Sequence, residues 1–483
     1  FTGTTIVQGS TTYDITPRFE MYTNDIKGKT GTFDFDIKDV RVINNTTGKL
    51  VQSTDIAYMY GNGDGTIKSN YKVEPTNLII PVRDGYICEG WYKEAECTNK
   101  VGNAGSSYTA TGNVTLYAKW KETNYEEVTL DGTHVNYYIT LASAMANVTS
   151  GNTIKVLVDR TETIASTVTK SKTVILDLNG KTVTLNGVTL KVNGALKITG
   201  EGTLTGSGAN TITNAGSLTK TGTSTIANTS TSSYYTIKNT GNATLEAGTL
   251  TSAYRTIDNS ETGEVVVSGA TVNSTGEGHT IYNTSTANTT DAPAVKVTSG
   301  TVSAVAGISG NSAIRSIGTG LVYLTGGTIE SESIYTLYLT NSSLQVDGAT
   351  IKNTDTENAG TGTAISSNGS IKVISGTITS DIGEAMNGSE QITISGGTIQ
   401  GGTTGITITN ANAKLKISGG TIKGTTQAGV LVGDSTVEIT GGTITGGGSS
   451  VEGVAGILHT GTGSILMYDG KVTCEPGVNY GVK

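Results

Sequence analysis

The chain has 483 residues, with 32 Lys and Arg against 40 Asp and Glu, a formal net charge of -8 and no basic run longer than a few positions; this argues against a nucleic-acid partner, because phosphate binding needs a positive stripe. Its 66 Gly, 5 Pro, 4 Phe and 3 Cys, with 35% hydrophobic residues drawn mostly from Ile, Val, Leu and Ala, describe a narrow aliphatic interior without a disulfide framework. No stretch approaches the roughly 18 apolar residues of a membrane span.

Residues 1–54 alternate in places, as in Gly31-Thr-Phe33-Asp-Phe35-Asp-Ile37, which predicts a first β segment or module. The chain begins with Phe1 and carries no signal peptide, as expected of a fragment or processed piece. Asn-x-Ser/Thr triplets such as those at Asn45 and Asn228 are expected by chance in a chain so rich in these residues.

A second unit spans 55–121. It opens with Ile56-Ala-Tyr58-Met-Tyr60-Gly-Asn62-Gly63-Asp64-Gly65-Thr66 and continues through Arg83-Asp-Gly85-Tyr86-Ile-Cys88-Glu-Gly90-Trp91-Tyr92-Lys-Glu-Ala-Glu-Cys97-Thr to Asn113-Val-Thr-Leu-Tyr117-Ala118-Lys119-Trp120. These segments resemble the small Listeria-Bacteroides repeat of bacterial surface proteins. The resemblance implies a compact β module serving as a spacer or adhesive unit; Trp91, Tyr92, Tyr117 and Trp120 read as the core of a domain short of aliphatics, the alternative being an exposed ligand platform. Cys88 and Cys97 are left open between a pair and two thiols, and Cys474 has no evident mate.

Residues 122–154 read as a linker and a capping helix. Thr140 is placed to cap a helix whose Leu141, Ala144, Met145 and Val148 fall at i, i+3, i+4 and i+7, giving one apolar face to cover an open core.

From 155 to 483 the phrase Gly-Gly-Thr-Ile and its variants recur. The closing apolar residue falls at Leu204, Ile226, Leu250, Val272, Val302, Ile329, Ile351, Ile378, Ile399, Ile422, Ile444 and Val472, roughly 21 to 30 residues apart, within the period of solenoids. Alternating strands with glycine corners predict an all-β coil of short strands in which stacked neighbours enclose one core. Upstream of each copy runs another strand, as in Thr211-Ile-Thr-Asn214, Thr236-Ile-Lys-Asn239, Thr256-Ile-Asp-Asn259 and Thr280-Ile-Tyr-Asn283; its recurring Asn predicts a ladder at a bend. The rhythm resembles that of pectate-lyase-like parallel β-helices, a resemblance that implies a right-handed winding. The end, Val478-Asn-Tyr-Gly-Val-Lys483, offers no cap like the N-terminal one, so self-association through it is an expectation. Inserts at 285–293 and 354–362 are predicted to project as loops.

Aligning the upstream strands on their inward Ile or Leu puts Thr213, Lys238, Asp258, Tyr282, Arg315 and Tyr338 in one outward row. Two residues before each apolar position come Asn210, Tyr235, Arg255, His279, Ser312 and Tyr335. From these rows Tyr235, Lys238, Arg255, Asp258, His279, Tyr282, Arg315, Tyr335 and Tyr338 form the candidate ligand-binding set, a mix of rings and charges suited to sugar. No catalytic residue, cofactor or metal is expected. Asp258 is the one acid in the rows and makes neither a calcium cage nor a hydrolase pair. The three histidines, His134, His279 and His459, stand in different surroundings. Glu330 with Glu332, and Asp355 with Glu357, read as loop or surface charge.

An outward Thr column (Thr203, Thr225, Thr249, Thr271, Thr301, Thr328, Thr350, Thr377, Thr398, Thr421, Thr443) suggests ice binding, but Glu330, Lys352 and Lys423 interrupt its neighbour column and sheet stabilisation explains it more simply. The expectation is therefore an extracellular, secreted or wall-attached bacterial adhesin or stalk that binds glycans or surface proteins without catalysis. Alternatives are a polysaccharide lyase or glycoside hydrolase, and a structural filament subunit.

Overall fold

Period-two alternation broken by glycine sends successive side chains to opposite faces and then turns the chain, and strands of this kind dominate the molecule. The structure, a computed structural model, describes residues 4–8, 11–15, 55–60, 68–71, 76–110, 114–305, 310–356, 362–448, 454–475 and 481–483, with side chains from 77 onward. The expected strand at 31–37, the turn at 61–66, Asn45, Asn113, Glu357 and residues 478–480 of the C-terminal segment lie outside the described residues. In 1–54, the strands Thr4–Gln8 and Thr11–Ile15 pair as an antiparallel hairpin.

The chain divides into two compact units, one made of Phe1–Ile80 with Glu89–Lys119, the other of Pro81–Cys88 with Trp120–Lys483. The first holds most of a five-stranded sheet ordered Lys68–Tyr71, Asp55–Tyr60, Val114–Glu122, Tyr86–Tyr92, Lys100–Gly102. Its core is Leu78, Trp91, Leu116 and Ala118, each at most 1% exposed, with Tyr92 beside them. The indole Nε1 of Trp91 donates to the Ile79 carbonyl at 2.8 Å, so the large ring is buried without losing its polar contact. Tyr117 is half-buried. Cys88, Cys97 and Cys474 are thiols.

The second unit is a β-solenoid. Each coil contributes three strands. On the first face, 13 parallel strands stack from Ser166–Val168 to Ile457–His459. The second face begins with Thr153–Val156 and the third with Arg160–Glu162, which carry Thr173–Asp177 and Lys181–Asn186 as their parallel partners in the next coil. In several coils one strand, such as Glu264–Ser274, Ser343–Asn353 or Thr436–Gly446, runs round the corner between the second and third faces, so these two faces merge into one 24-stranded sheet. Gly397 shows why glycine occupies this corner: its φ is +86°, and a Cβ there would lie 2.8 Å from the carbonyl oxygen of Gly376 one coil below.

Inward positions form continuous columns. Leu204, Ile226, Leu250, Val272, Val302, Ile329 and Ile351 follow one another in register, each fully buried. One core runs from the cap through Ile457, and each buried Val, Leu or Ile contributes on the order of 1.5 to 3 kcal/mol before entropy is subtracted. The predicted asparagine ladder is present in the interior. Nδ2 of Asn214, Asn239 and Asn259 donates to Oδ1 of Asn239, Asn259 and Asn283 at 2.7, 2.8 and 2.8 Å, and Asn283 passes the chain to Ser316 Oγ at 2.8 Å. A second internal row links coils where the third face meets the first: Thr211, Thr256 and Thr280 donate to the carbonyls of Ala227, Asn273 and Ser303.

The N-terminal end is closed as the sequence predicts. The helix Leu141–Asn147 is capped by Thr140, whose hydroxyl accepts from the Ser143 amide while Ser143 answers the Thr140 amide. Leu141, Ala144, Met145 and Val148 are buried against the core. The residues ahead of the helix do more than link. Tyr125–Val128 pairs antiparallel with both His134–Tyr138 and Thr153–Val156, so the cap is itself sheet. Glu127, inside it, accepts from Tyr138 Oη (2.6 Å), the Thr149 amide (2.9 Å) and Asn152 Nδ2 (2.8 Å).

The insert at 285–293 leaves the corner between the first and second faces; residues 288–291 are exposed, and Asn288 bridges Pro293. The second insert, at 354–362, begins as the third face turns into the first. Asp355, read from the sequence as surface charge, is 1% exposed, because the chain turns inward there with the Asp355 amide on Asn353 Oδ1.

Candidate ligand-binding ridge

On the first face, apolar residues alternate with outward ones, and parallel register carries each outward residue to the same height on the next coil. Lys238, Asp258, Tyr282, Arg315 and Tyr338 are consecutive partners in that register, and Thr213 precedes them. Tyr235 pairs with Arg255 in the companion row. The nine candidates therefore gather on one face over five adjacent coils, although up to 33 residues of sequence separate neighbours such as Tyr282 and Arg315.

Their packing is mutual. The Arg255 guanidinium lies 3.9 Å from the centroid of Tyr282, and that of Arg315 lies 3.7 Å from the centroid of Tyr338, so each arginine covers the ring one coil on. His279 stacks on Tyr282 at 5.8 Å and Tyr335 packs on Tyr338 at 4.8 Å. Arg315 is further anchored, its Nη1 donating to the Tyr338 carbonyl at 3.1 Å and to Thr340 Oγ1 at 2.9 Å. Tyr254, absent from the candidates, joins them by stacking on Tyr235 at 6.2 Å and lying 5.3 Å under Arg255. Its only sequence signal was its position beside Arg255, at a bend outside the aligned rows.

One position differs from the outward rows read from the sequence. Ser312 is fully buried, its Oγ 3.0 Å from Nδ1 of His279, because the bend before Ile314 folds it under the ring. Lys238 is exposed, whereas Arg255, Asp258, His279, Tyr282, Arg315, Tyr335 and Tyr338 are half-buried.

Half-burial sets the electrostatics. His279 is pushed down to about 4 by burial, aided by Arg255 and Arg315, so it is a neutral ring at physiological pH. Burial raises the Asp258 carboxyl, and Arg255 and Lys238 only partly offset it. Burial, then Asp258, raises the Tyr235 hydroxyl, and burial lowers Arg315.

Guanidinium groups already lie on Tyr282 and Tyr338, so one face of each ring is taken. The ridge can hold a polar chain by hydrogen bonds along five coils. It has one carboxylate, Asp258, where hydrolysis of a glycosidic bond uses two. Among the described residues no three His, Cys, Asp or Glu side chains converge as a metal site.

The third-face Thr column is in register from Thr203 to Thr443, and its neighbour column carries Glu330, Lys352 and Lys423, with Lys352 paired to Asp381 at 3.7 Å.

Residues 55–119 match the family model of the Listeria-Bacteroides repeat domain. This repeat is typical of extracellular bacterial surface proteins. No curated protein and no solved structure matched the chain. Among the described residues, no helix is long and apolar enough to cross a membrane.

Proposed function

We propose that this chain is an extracellular bacterial adhesin in which the solenoid is a rigid stalk and the ridge on its first face binds glycan, without catalysis. The repeat at 55–119 supports the surface location. The observation that carries the binding role is the convergence of Tyr, Arg, Lys, Asp and His from five successive coils on one face, with their rings and guanidinium groups fixed by one another before any ligand arrives. Pre-packed side chains lose little rotamer freedom on binding, which favours recognition of a flexible sugar chain. The single carboxylate among them favours holding over cutting.

The test is a glycan array probed with the intact chain and with a variant carrying Tyr235→Ala, Tyr282→Ala and Tyr338→Ala. The reading expects defined glycans to be retained by the parent and lost by the variant. Retention of the same glycans by both would remove the ridge from the account.

A further inference from the structure

The balance of hydrogen-bonding groups on the ridge narrows the ligand. Three cationic side chains, Lys238, Arg255 and Arg315, face one carboxylate, Asp258, and the row continues below with Lys191 at the position preceding Thr213. The chain as a whole carries a net charge of -8, so this face departs in sign from the rest of the molecule. The exposed Glu277 and Glu332 stand at neighbouring bends, where water screens them. Stacking on Tyr282 and Tyr338 occupies the planes of the two guanidinium groups, and Arg315 already commits Nη1 to the Tyr338 carbonyl and Thr340 Oγ1, so recognition by N–H groups falls chiefly to Arg255. One of those N–H groups, Nε of Arg255, is buried and has no hydrogen-bond partner. Such a donor is destabilising until an acceptor reaches it. Cationic groups therefore outnumber carboxylates on this ridge by three to one.

We infer that the ridge selects acidic glycans, with a carboxylate or sulfate of the sugar taken by Arg255 beside Tyr282 and the polymer running along the coil axis past Arg315 and Lys238. This rests on the glycan-binding reading above. A planar guanidinium suits a planar carboxylate through paired N–H donors, and Asp258 acts as the opposing charge that keeps binding reversible.

The test uses the whole chain on matched carboxylated, sulfated and neutral oligosaccharides, alongside the Arg255→Gln and Asp258→Asn variants. Retention confined to acidic glycans is expected, weakening as salt is raised. Arg255→Gln should weaken it about tenfold or more, the effect of losing a charge-assisted hydrogen bond. Asp258→Asn, which removes the acid without touching the arginines, should tighten it, and this arm stands even if the arginine variant folds poorly. Equal retention of neutral and acidic glycans overturns the charge assignment and leaves the glycan reading in place. Retention of none of the three classes defeats both. Unchanged or weaker binding by Asp258→Asn also counts against the inference.

Discussion

Lys220 is the residue that sequence reasoning passed over. In Ser217-Leu-Thr-Lys220 the period of two places it on the same side as Leu218, and in the structure it occupies the inward column between Ile198 and Leu245, fully buried. Its ammonium donates to the carbonyls of Gly222 and Ala247 at 3.1 and 3.0 Å, and it fits because Gly248 has no Cβ; one would lie 2.3 Å from Nζ. Burial pulls it down to about 8 from the ordinary 10.5, a penalty of about 3 kcal/mol at neutral pH. Between pH 8 and 10.5 the unfolded chain holds the proton that the folded one has lost, so stability climbs across that window. Hydrogen exchange of the amides in this coil should slow as pH-corrected rates are followed upward from 8, and Lys220→Leu should be more stable at neutral pH with that climb removed; a less stable Leu variant would refute this account of the site. His279 works in the same sense at acid pH. Its folded value near 4 lies below the ordinary 6.5, so the unfolded chain gains a proton first and stability falls as pH drops from 6.5 to 4. His279→Gln should show a shallower acid decline in thermal melts, and an unchanged decline would mean that carboxylates alone set it.

At the scale of elements, two devices hold coils in place. The asparagine ladder pairs buried amides with one another, and removing a middle rung takes a ladder partner from both neighbours, together with the rung's own bonds to backbone carbonyls. Asn259→Ala leaves Asn239 Nδ2 and Asn283 Oδ1 in a dry interior without their mutual partner, an expected loss of about 2 kcal/mol or more in denaturant unfolding, whereas Asn214→Ala at the end of the run should cost less. Equal costs would show that the rungs act independently. The cap is the second device. Burial raises Glu127, but hydrogen bonds from Tyr138, Thr149 and Asn152 outweigh it and hold its carboxyl below the ordinary range, so its contribution is present above the usual carboxylate value and is lost as pH falls through the lowered one. Met145→Ala should destabilise the cap by about 2 to 5 kcal/mol, read as faster exchange in Ser166–Val168, the strand packed against the helix. The helix and the ladder were legible because each rests on a local rule, a capping Thr140 with i, i+3, i+4, i+7 spacing and a repeated Asn. The strand pair ahead of the helix was not, because Tyr125–Val128 finds its partners only in the fold.

The whole solenoid follows from a rule that needs no long-range information: an apolar residue at a fixed place in each coil forces neighbours into register, and stability accumulates coil by coil. That is why the columns through Leu204 and Ile444 could be read from spacing alone. The ridge was legible as a row and not as a contact set. Arg255 on Tyr282 and Arg315 on Tyr338 depend on how far each side chain leans along the axis, and spacing is silent about that. The third face provides an internal control, since its Thr column shares the coils of the ridge but points elsewhere. The most direct measurement compares glycan binding by the parent chain, by the variant with Tyr235, Tyr282 and Tyr338 changed to Ala, and by a control with Thr225, Thr249 and Thr271 changed to Ser. Loss in the first variant with binding intact in the control is the outcome the account requires. Binding that survives the tyrosine changes, or that disappears with the threonine ones alone, would contradict it.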